Sequence, residues 1–563
     1  MATTQSAADD DRVGLYIREF EALKTIRANW DTYWADVARH VLPNQNIFMR
    51  SPLGISQAER RTEYIFEGTA PQALERFAAA MESMLFPRTQ KWHRLVPVDP
   101  SLKDNRDVRA YLEEINDVLF AARYSPRANF ASQAHENMLG LGAFGTGSVF
   151  VDEDLGSNLR YRAINLQDLY FAENHVGLIE TVFRVFVFSA INAVEQFGID
   201  NVPGAIADAA KNSPQREYEF LHVVKPRRNP DLERKDAKGM AFESCYIALS
   251  HKQIVADGGY RTFPYATSRY VVGPREVYGR SPAMTSLADI KMLNEMSRTD
   301  IEASHMAVRP PLLVPDDDQR GWSLRPGALN YGGMGPDGKP MVAPLITGVR
   351  PDIAEEKMDV RRKSINDVFL VSLFQILAEN PGQMTATEVL ERAQEKGALL
   401  TPTMGRQQSE FLGPLIQREI DILGHANQFP PMPAELMRIG GQVKIEYSSP
   451  LNTYQRAEEG VGILRTFQQL APLAEAGHPE VFDMFDPEAT ARELAEINAV
   501  PAKVMRSPEQ IQQIQAAKQQ QMNAQTMIQA APQAAAAAKD LATARSTVLN
   551  SPGPQPGVGG PPA

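Results

Sequence analysis

One cysteine, Cys245, occurs in 563 residues. No internal disulfide can form, a cysteine-rich zinc module is excluded, and a lone thiol fits a reducing compartment. Nowhere does the chain contain the roughly 20 successive apolar residues of a membrane span. The acidic start MATTQSAADDDR lacks the basic and apolar regions of a secretory signal. Basic charge is also short: 58 Lys and Arg against 69 Asp and Glu leave a net charge of −11 and a pI near 5.5. That disfavours a broad basic face wrapping nucleic acid, but not a surface past which DNA slides.

Chemical motifs are equally scarce. The histidines are scattered, no HExxH occurs and no GxSxG elbow is present, so metal and nucleophile chemistry have little support. Gly140-Leu-Gly142-Ala-Phe-Gly145-Thr-Gly147 matches GxGxxG, but a helix precedes it and a strand follows, the reverse of a dinucleotide site. Close packing of a helix end on a strand is the preferred reading. Gly333-Met-Gly-Pro-Asp-Gly338-Lys339-Pro340 stops one residue short of a phosphate loop, because Pro340 replaces the Ser or Thr that would ligate magnesium. A turn at Pro336-Asp337-Gly338 is expected instead. Asp316-Asp317-Asp318 reads as a solvated acid patch, His305 as a partner for a helix C-terminus, and Trp92 as a residue docked on the core at a chain reversal.

What is present is length for several domains and a globular balance of 43% hydrophobic and 23% charged residues. Residues up to about Asp10 are expected to be disordered. Apolar spacing then predicts helices over 15–41, 71–85, 108–122 and 129–141. From there the period falls to two, giving strands near 148–152, 159–164, 181–188, 218–225 and 242–249, with a short helix at 191–197. No alternating βαβ order appears. The expected fold is α+β and mostly helical, with antiparallel hairpins.

The stretch 281–385 organises the rest. Ser281-Pro282 caps a helix running to about residue 305, and Met284, Leu287, Ile290, Leu293 and Met296 form an apolar stripe along it. At ~1.5 Å per residue the rod is roughly 35 Å long. A Pro- and Gly-rich excursion covers 308–350, and a second helix runs from Pro351 to about Leu377, with Glu355 and Glu356 early and Arg361, Arg362 and Lys363 farther on. Two such rods cannot bury all their surface in a monomer, so the stripe is expected against the second rod or a neighbouring copy. The Arg361-Arg362-Lys363 run would contact phosphate in a channel or pair with Glu355, Glu356 or Asp359 of a neighbour. Asn380-Pro381-Gly382 is a turn, followed by a capping box at Thr385-Ala-Thr-Glu388. Gly413-Pro414 falls inside an apolar-periodic run, so a kinked or broken long helix is expected there. A mostly helical unit follows from Ile445, then a Gln- and Ala-rich helix after Ser507; the terminal Pro- and Gly-rich tail has nothing to build a core with.

With these parts in order, the chain resembles the portal proteins, or head-to-tail connectors, of short-tailed bacteriophages. The segments that carry the resemblance include Trp34-Ala-Asp-Val-Ala-Arg-His-Val-Leu-Pro43, Phe66-Glu-Gly-Thr-Ala-Pro-Gln-Ala-Leu74, Phe86-Pro87 and Gly142-Ala-Phe-Gly-Thr-Gly147. Val277-Tyr-Gly-Arg-Ser-Pro282, Leu287-Ala-Asp-Ile-Lys-Met-Leu-Asn294, Met384-Thr-Ala-Thr-Glu388, Leu412-Gly-Pro414 and Met505-Arg-Ser-Pro-Glu509 complete them. The resemblance implies a wing at 1–280 and 386–430, stem helices at 281–307 and 351–377, and a clip at 308–350. It also implies a tunnel loop at 378–385, a helical crown at 431–530 and a largely disordered tail at 531–563. It further implies a homo-oligomeric ring, commonly a dodecamer, at one capsid vertex. That ring would conduct double-stranded DNA and meet a separate terminase ATPase, tail adaptor proteins, capsid and scaffold proteins and internal core proteins, with no cofactor and no membrane. Glu379, Asn380, Pro381, Gly382 and Gln383 would then face the DNA channel. The competing readings are another virion part, such as a scaffold or tail adaptor, and an enzyme with an unrecognised site.

Overall fold

The computed structural model describes most of residues 2–497 and parts of 510–521; outside the description lie chiefly 49–61, 155–158, 231–233, 315–320, 346–350, 373–401, 476–481, 498–509 and 522–563. Helix α1 (Ala2–Val41) opens the chain. It begins ahead of the point expected: residues 2–13 hold no proline or glycine to break a helix, and alanine, which recurs among them, is the best helix former. Val13, Tyr16 and Phe20 recur at helical spacing and lie on a sheet, while Trp34, Val37, Ala38 and Val41 enter the main core. Helices α2 (Thr69–Leu85), α3 (Arg106–Arg123) and α4 (Phe130–Phe144) pack in that core, with strand β1 (His93–Pro97) between α2 and α3.

The chain then turns to strands, most of them buried on both faces. β2 (Thr146–Asp152) lies between β3 (Arg160–Ile164) and β9 (Tyr265–Arg269) in a three-stranded antiparallel sheet. β4 (Leu169–Glu173), β5 (Ile179–Ser189), β6 (Glu217–Pro226), β7 (Phe242–Ala248) and β8 (Gln253–Tyr260) form a five-stranded antiparallel meander in that order. On β6, Leu221 and Val223 point to α1, whereas Tyr218 and Phe220 point to the opposite face, covered by α5 (Ala190–Phe197) and α6 (Gly204–Asn212). One sheet is thus buried on both faces by helices far apart in sequence.

The glycine cluster does what close packing requires. Gly145 closes α4 at φ +75°, and a Cβ there would fall 2.3 Å from the Gly279 carbonyl oxygen. A Cβ at Gly142 would sit 2.6 Å from Leu74 Cδ1. The reverse order of helix and strand places these residues in the core, where α4 crosses α2.

After the long helices α7 (Pro282–Val308) and α8 (Pro351–Val368), with the short strands β10 (Leu312–Leu313) and β11 (Ala343–Pro344) between them, the chain re-enters the body. The expected kink before Pro414 is a π-helical turn, Gln407–Leu412, continued by α9 (Gly413–His425). The short α10 (Ala434–Arg438) leads to β12 (Val443–Tyr447), which pairs antiparallel with β1. Residue 445 was expected to begin a helical unit; the strand forms because Val443, Ile445 and Tyr447 alternate with Lys444 and Glu446, and Arg94 meets Glu446 across the pair at 2.7 Å. Helices follow only afterwards, α11 (Pro450–Glu475) and α12 (Pro487–Ile497). Trp92, next to β1, is fully buried.

At the centre, Arg123 of α3 and Glu419 of α9 form a fully buried ion pair. Arg123 Nε donates to Glu419 Oε1 at 3.0 Å, Tyr161 Oη donates to the same oxygen at 2.6 Å, and Arg123 Nη2 donates to His93 Nε2 at 2.9 Å. Because arginine only donates, His93 Nε2 accepts and the imidazole is neutral. Burial, with the Arg123 charge adding to it, pushes His93 well below the ordinary histidine value. Burial and then Glu419 push the Tyr161 hydroxyl well above the ordinary tyrosine value.

Two outcomes follow for stability. Glu419→Gln leaves the Arg123 charge uncompensated and is expected to lower unfolding free energy by about 3–5 kcal/mol, read from a denaturant midpoint. His93 binds its proton more readily unfolded than folded, so its contribution is intact above the ordinary value of 6.5 and is lost as pH falls below it. Stability should therefore fall less between about pH 7.5 and 5.5 (one unit either side of the ordinary value) in His93→Gln than in the unaltered chain.

Candidate functional site: a helical arm with an exposed apolar end

The arm starts inside the body. Ser281 Oγ accepts from the Met284 N–H at 3.0 Å and donates to the Ala143 carbonyl at 2.8 Å, so the cap of α7 is tied to α4. Met284, Leu287, Ile290 and Leu293 are buried within this one chain, Leu293 to 1% exposure, and Met296 packs half-buried beside them. Asn294 fixes the same face, accepting from the Phe66 N–H at 2.8 Å and donating to the Tyr64 carbonyl at 2.9 Å. Of the two partners expected for the stripe, the second rod and a neighbouring copy at a subunit interface, the second rod buries it within the single chain, through Met358 and Ile365. Its period announces burial but carries no information about which partner buries it.

α8 returns antiparallel to α7. Arg361 pairs with Asp289 at 2.9 Å, Ser364 donates to Asp289 at 3.0 Å, and farther along Ser297 meets the Met358 sulfur at 3.6 Å. Arg362 pairs with Glu67 of the body and with Asp359 one turn away, both at 2.8 Å. Burial raises the Glu67 carboxyl and the hydrogen bonds from Arg362, Thr69 and Ser297 lower it, with a net position below the ordinary value. Arg361 and Arg362 thus hold the rods together and to the body, and only Lys363 of the three stands exposed.

Beyond Ser297 the arm leaves the body. Ile301, Met306 and Val308 are exposed on the last turns of α7, Val308 to 80%. β10 and β11 close the base of the excursion. Farther out, the Asn330 side chain bridges seven residues: it accepts from the Ser323 N–H and donates to the Ser323 carbonyl, both at 2.9 Å. The stretch like a phosphate loop is a hairpin turn, with the Gly335 N–H bonded to the Lys339 carbonyl at 2.8 Å, Gly338 at φ +72° and Lys339 exposed. On this frame Leu324, Leu329, Tyr331 and Met334 project into solvent, Leu329 at 75% and Tyr331 at 84%. These apolar residues are the feature that sequence reading missed. They lack any period, and their only signal is large apolar side chains within a Pro- and Gly-rich stretch.

The other expected site residues, Glu379, Asn380, Pro381, Gly382 and Gln383, lie outside the described residues, as do Thr385 and the Asp316-Asp317-Asp318 run. Among the described residues no three His, Cys, Asp or Glu converge as metal ligands, and no helix is long and apolar enough to cross a membrane.

Exposed apolar side chains held on a rod anchored in a core are the kind of surface that marks contact with another protein. Residues 14–505 match the family model described as bacteriophage head to tail connecting protein. The chain is 28% identical over 516 residues to the probable portal protein of Bordetella phage BPP-1, covering 90% of this chain and 91% of that one. It is 27% identical over 556 residues to the portal protein of Salmonella phage epsilon15, covering 95% and 97%. A chain from the virion of a native gene transfer agent particle overlaps 77% of this chain and 95% of its own length at 12% identity and a TM-score of 0.30, a likeness too slight to argue from.

The two ends of the arm should respond oppositely to charge. Leu293→Asp places a carboxylate in the core and should destabilise the chain itself, by about 3 kcal/mol or more. Leu329→Asp combined with Tyr331→Ser should leave thermal stability within about 0.5 kcal/mol while abolishing self-association, read by size-exclusion chromatography.

Proposed function

The chain belongs to the bacteriophage head to tail connecting protein family, and on that footing we propose that its copies assemble into a portal ring at one vertex of the capsid. The observation that carries this reading is the arm: helices anchored in a core at one end, with fixed, exposed apolar residues at the other. Burying each of those side chains in a neighbour is worth ~1.5–3 kcal/mol, so repeated contacts between copies would stabilise a closed assembly.

In this reading 1–280 and 386–430 form the wing, 281–307 and 351–377 the stem, 308–350 the clip, 431–530 the crown and 531–563 the tail. The ring, a dodecamer, is a channel for double-stranded DNA in packaging and ejection. A separate terminase supplies ATP hydrolysis, and the ring itself does no chemistry. Tail adaptors, capsid and scaffold proteins and internal core proteins dock around it, first in the host cytoplasm and then in the virion. The loop 378–385 narrows the bore. Its turn residues Asn380, Pro381, Gly382 and Gln383 carry no charge and Glu379 repels phosphate, so the duplex slides rather than sticks.

Negative-stain images of purified protein should show rings with a central hole; a compact monomer at the same concentration would overturn the proposal. Deleting residues 380–383 should leave rings intact and reduce the yield of DNA-filled heads, measured by nuclease-protected genome per particle. An unchanged yield would remove the loop from the channel.

A further inference from the structure

Gly142 and Gly145 let elements pack closely, but Gly140 and Gly147 of the same cluster line a cavity of about 160 Å³ between α4 and the adjoining ends of β2 and β3. At ~30 Å³ per liquid water that is room for about five waters, or for an amine of about four carbons. The cavity exists because β3 stops early. β2 pairs with β9 from Thr146 onward, but with β3 only from Ser148, opposite Ile164. Past Ile164 the chain turns off through Asn165, so Thr146 and Gly147 have no strand on that side. A Cβ on Gly147 would fall 2.3 Å from Asn137 Oδ1, so only glycine there leaves space for the amide. A Cβ on Gly140 would meet nothing closer than the Thr146 carbonyl oxygen, at 3.7 Å.

The lining asks for a donor. Asn137 is 2% exposed, and its Nδ2 donates to Ser268 Oγ at 3.0 Å. Its Oδ1, on the cavity side, has no hydrogen-bond partner among the described residues, which is rare for a buried amide oxygen. The hydroxyls on the wall are engaged: Ser148 with Thr267 at 3.2 Å, and Thr146 as acceptor from the Gly279 N–H at 2.8 Å. Among the described residues that line the cavity none is basic, and the one charged side chain is Glu136, exposed at its mouth. Phe144, in the last turn of α4, borders it where the helix dipole is negative. Ile164 and Leu166 supply an apolar wall.

We propose that this cavity binds a primary alkylammonium group. The nitrogen donates to Asn137 Oδ1, Glu136 supplies the counter-charge at the mouth, and a short alkyl chain lies against Ile164 and Leu166. An ammonium carries three N–H donors and no acceptor, which suits an unpaired oxygen beside a carboxylate. A quaternary ammonium has no N–H for Asn137, an alcohol of the same length brings no charge, and an anion is repelled by Glu136. The site belongs to the single chain and stands whether or not the copies form a ring.

The test is calorimetric titration of the full-length chain with butylammonium chloride, with butanol and tetramethylammonium chloride as controls. One butylammonium should bind per chain, and neither control should bind. Glu136→Gln, a change at an exposed position, should raise Kd roughly tenfold or more. Gly140→Leu fills the cavity with a better helix former than glycine and should abolish binding, with the circular dichroism spectrum unchanged. Should Gly140→Leu fail to fold, Glu136→Gln and the controls still decide. No binding of butylammonium overturns the proposal, as does equal binding of either control. An unchanged Kd in Glu136→Gln, or in folded Gly140→Leu, overturns it too. The source of the group is read by repeating the titration on assembled and dissociated protein. Equal binding to both marks a free amine as the ligand, and binding to dissociated protein alone marks a lysine side chain of a second copy.

Discussion

The buried pair between Arg123 and Glu419 is the constraint on which the body depends. A guanidinium and a carboxylate withdrawn from water stay ionised only if geometry and further hydrogen bonds repay the desolvation. Here Tyr161 from β3 and His93 from β1 supply those bonds, and the Trp92 ring lies 4.5 Å from the guanidinium carbon. One contact therefore fixes α3, α9, β1 and β3 at once, over a span of 296 positions between the paired residues. β1 in turn pairs with β12, so the same junction carries the connection to the C-terminal helices. Neither residue of the pair belongs to any motif, and nothing local in the sequence marks them as partners.

The arm depends on that rigidity. Its root shares the main core through Leu287, Ile290 and Leu293, and its rods are clamped by Arg361 with Asp289 and Arg362 with Glu67. Past Ser297 the described side chains of α7 are mostly exposed, and exposed leucine, tyrosine and methionine accumulate toward the tip. The Asn330 bridge and the turn at Gly338 hold those side chains in place before any partner arrives, which lowers the entropy lost on docking.

Local signals were read well. The Ser281-Pro282 cap, the five strands expected between 148 and 249 and the helix irregularity before Pro414 lie where propensity and period put them, because each is decided by residues close in sequence, whereas β4, β8 and β9 were not foreseen. β1 and β12 escaped because each is five residues long and is stabilised by a partner some 350 positions away. The stripe from Met284 to Met296 was legible as buried against the second rod or a neighbouring copy; the choice of α8, with α2 beside it, needed the fold, since amphipathicity has no address. The arginines of 361–362 were legible as charges; their partners, Asp289 and Glu67, depend on the antiparallel return of α8 and on a contact with the body. The exposed tip follows no period at all, so only the folded chain brings it into view.

The central claim is that the apolar tip is covered by other copies of the same chain. Native mass measurement of the purified protein, paired with hydrogen exchange over 309–345, tests this most directly. The account predicts a single closed multiple of the 62.4 kDa subunit, with backbone protection along the tip that disappears when the assembly is dissociated. A 62.4 kDa species at micromolar concentration, with the tip equally protected, would contradict it.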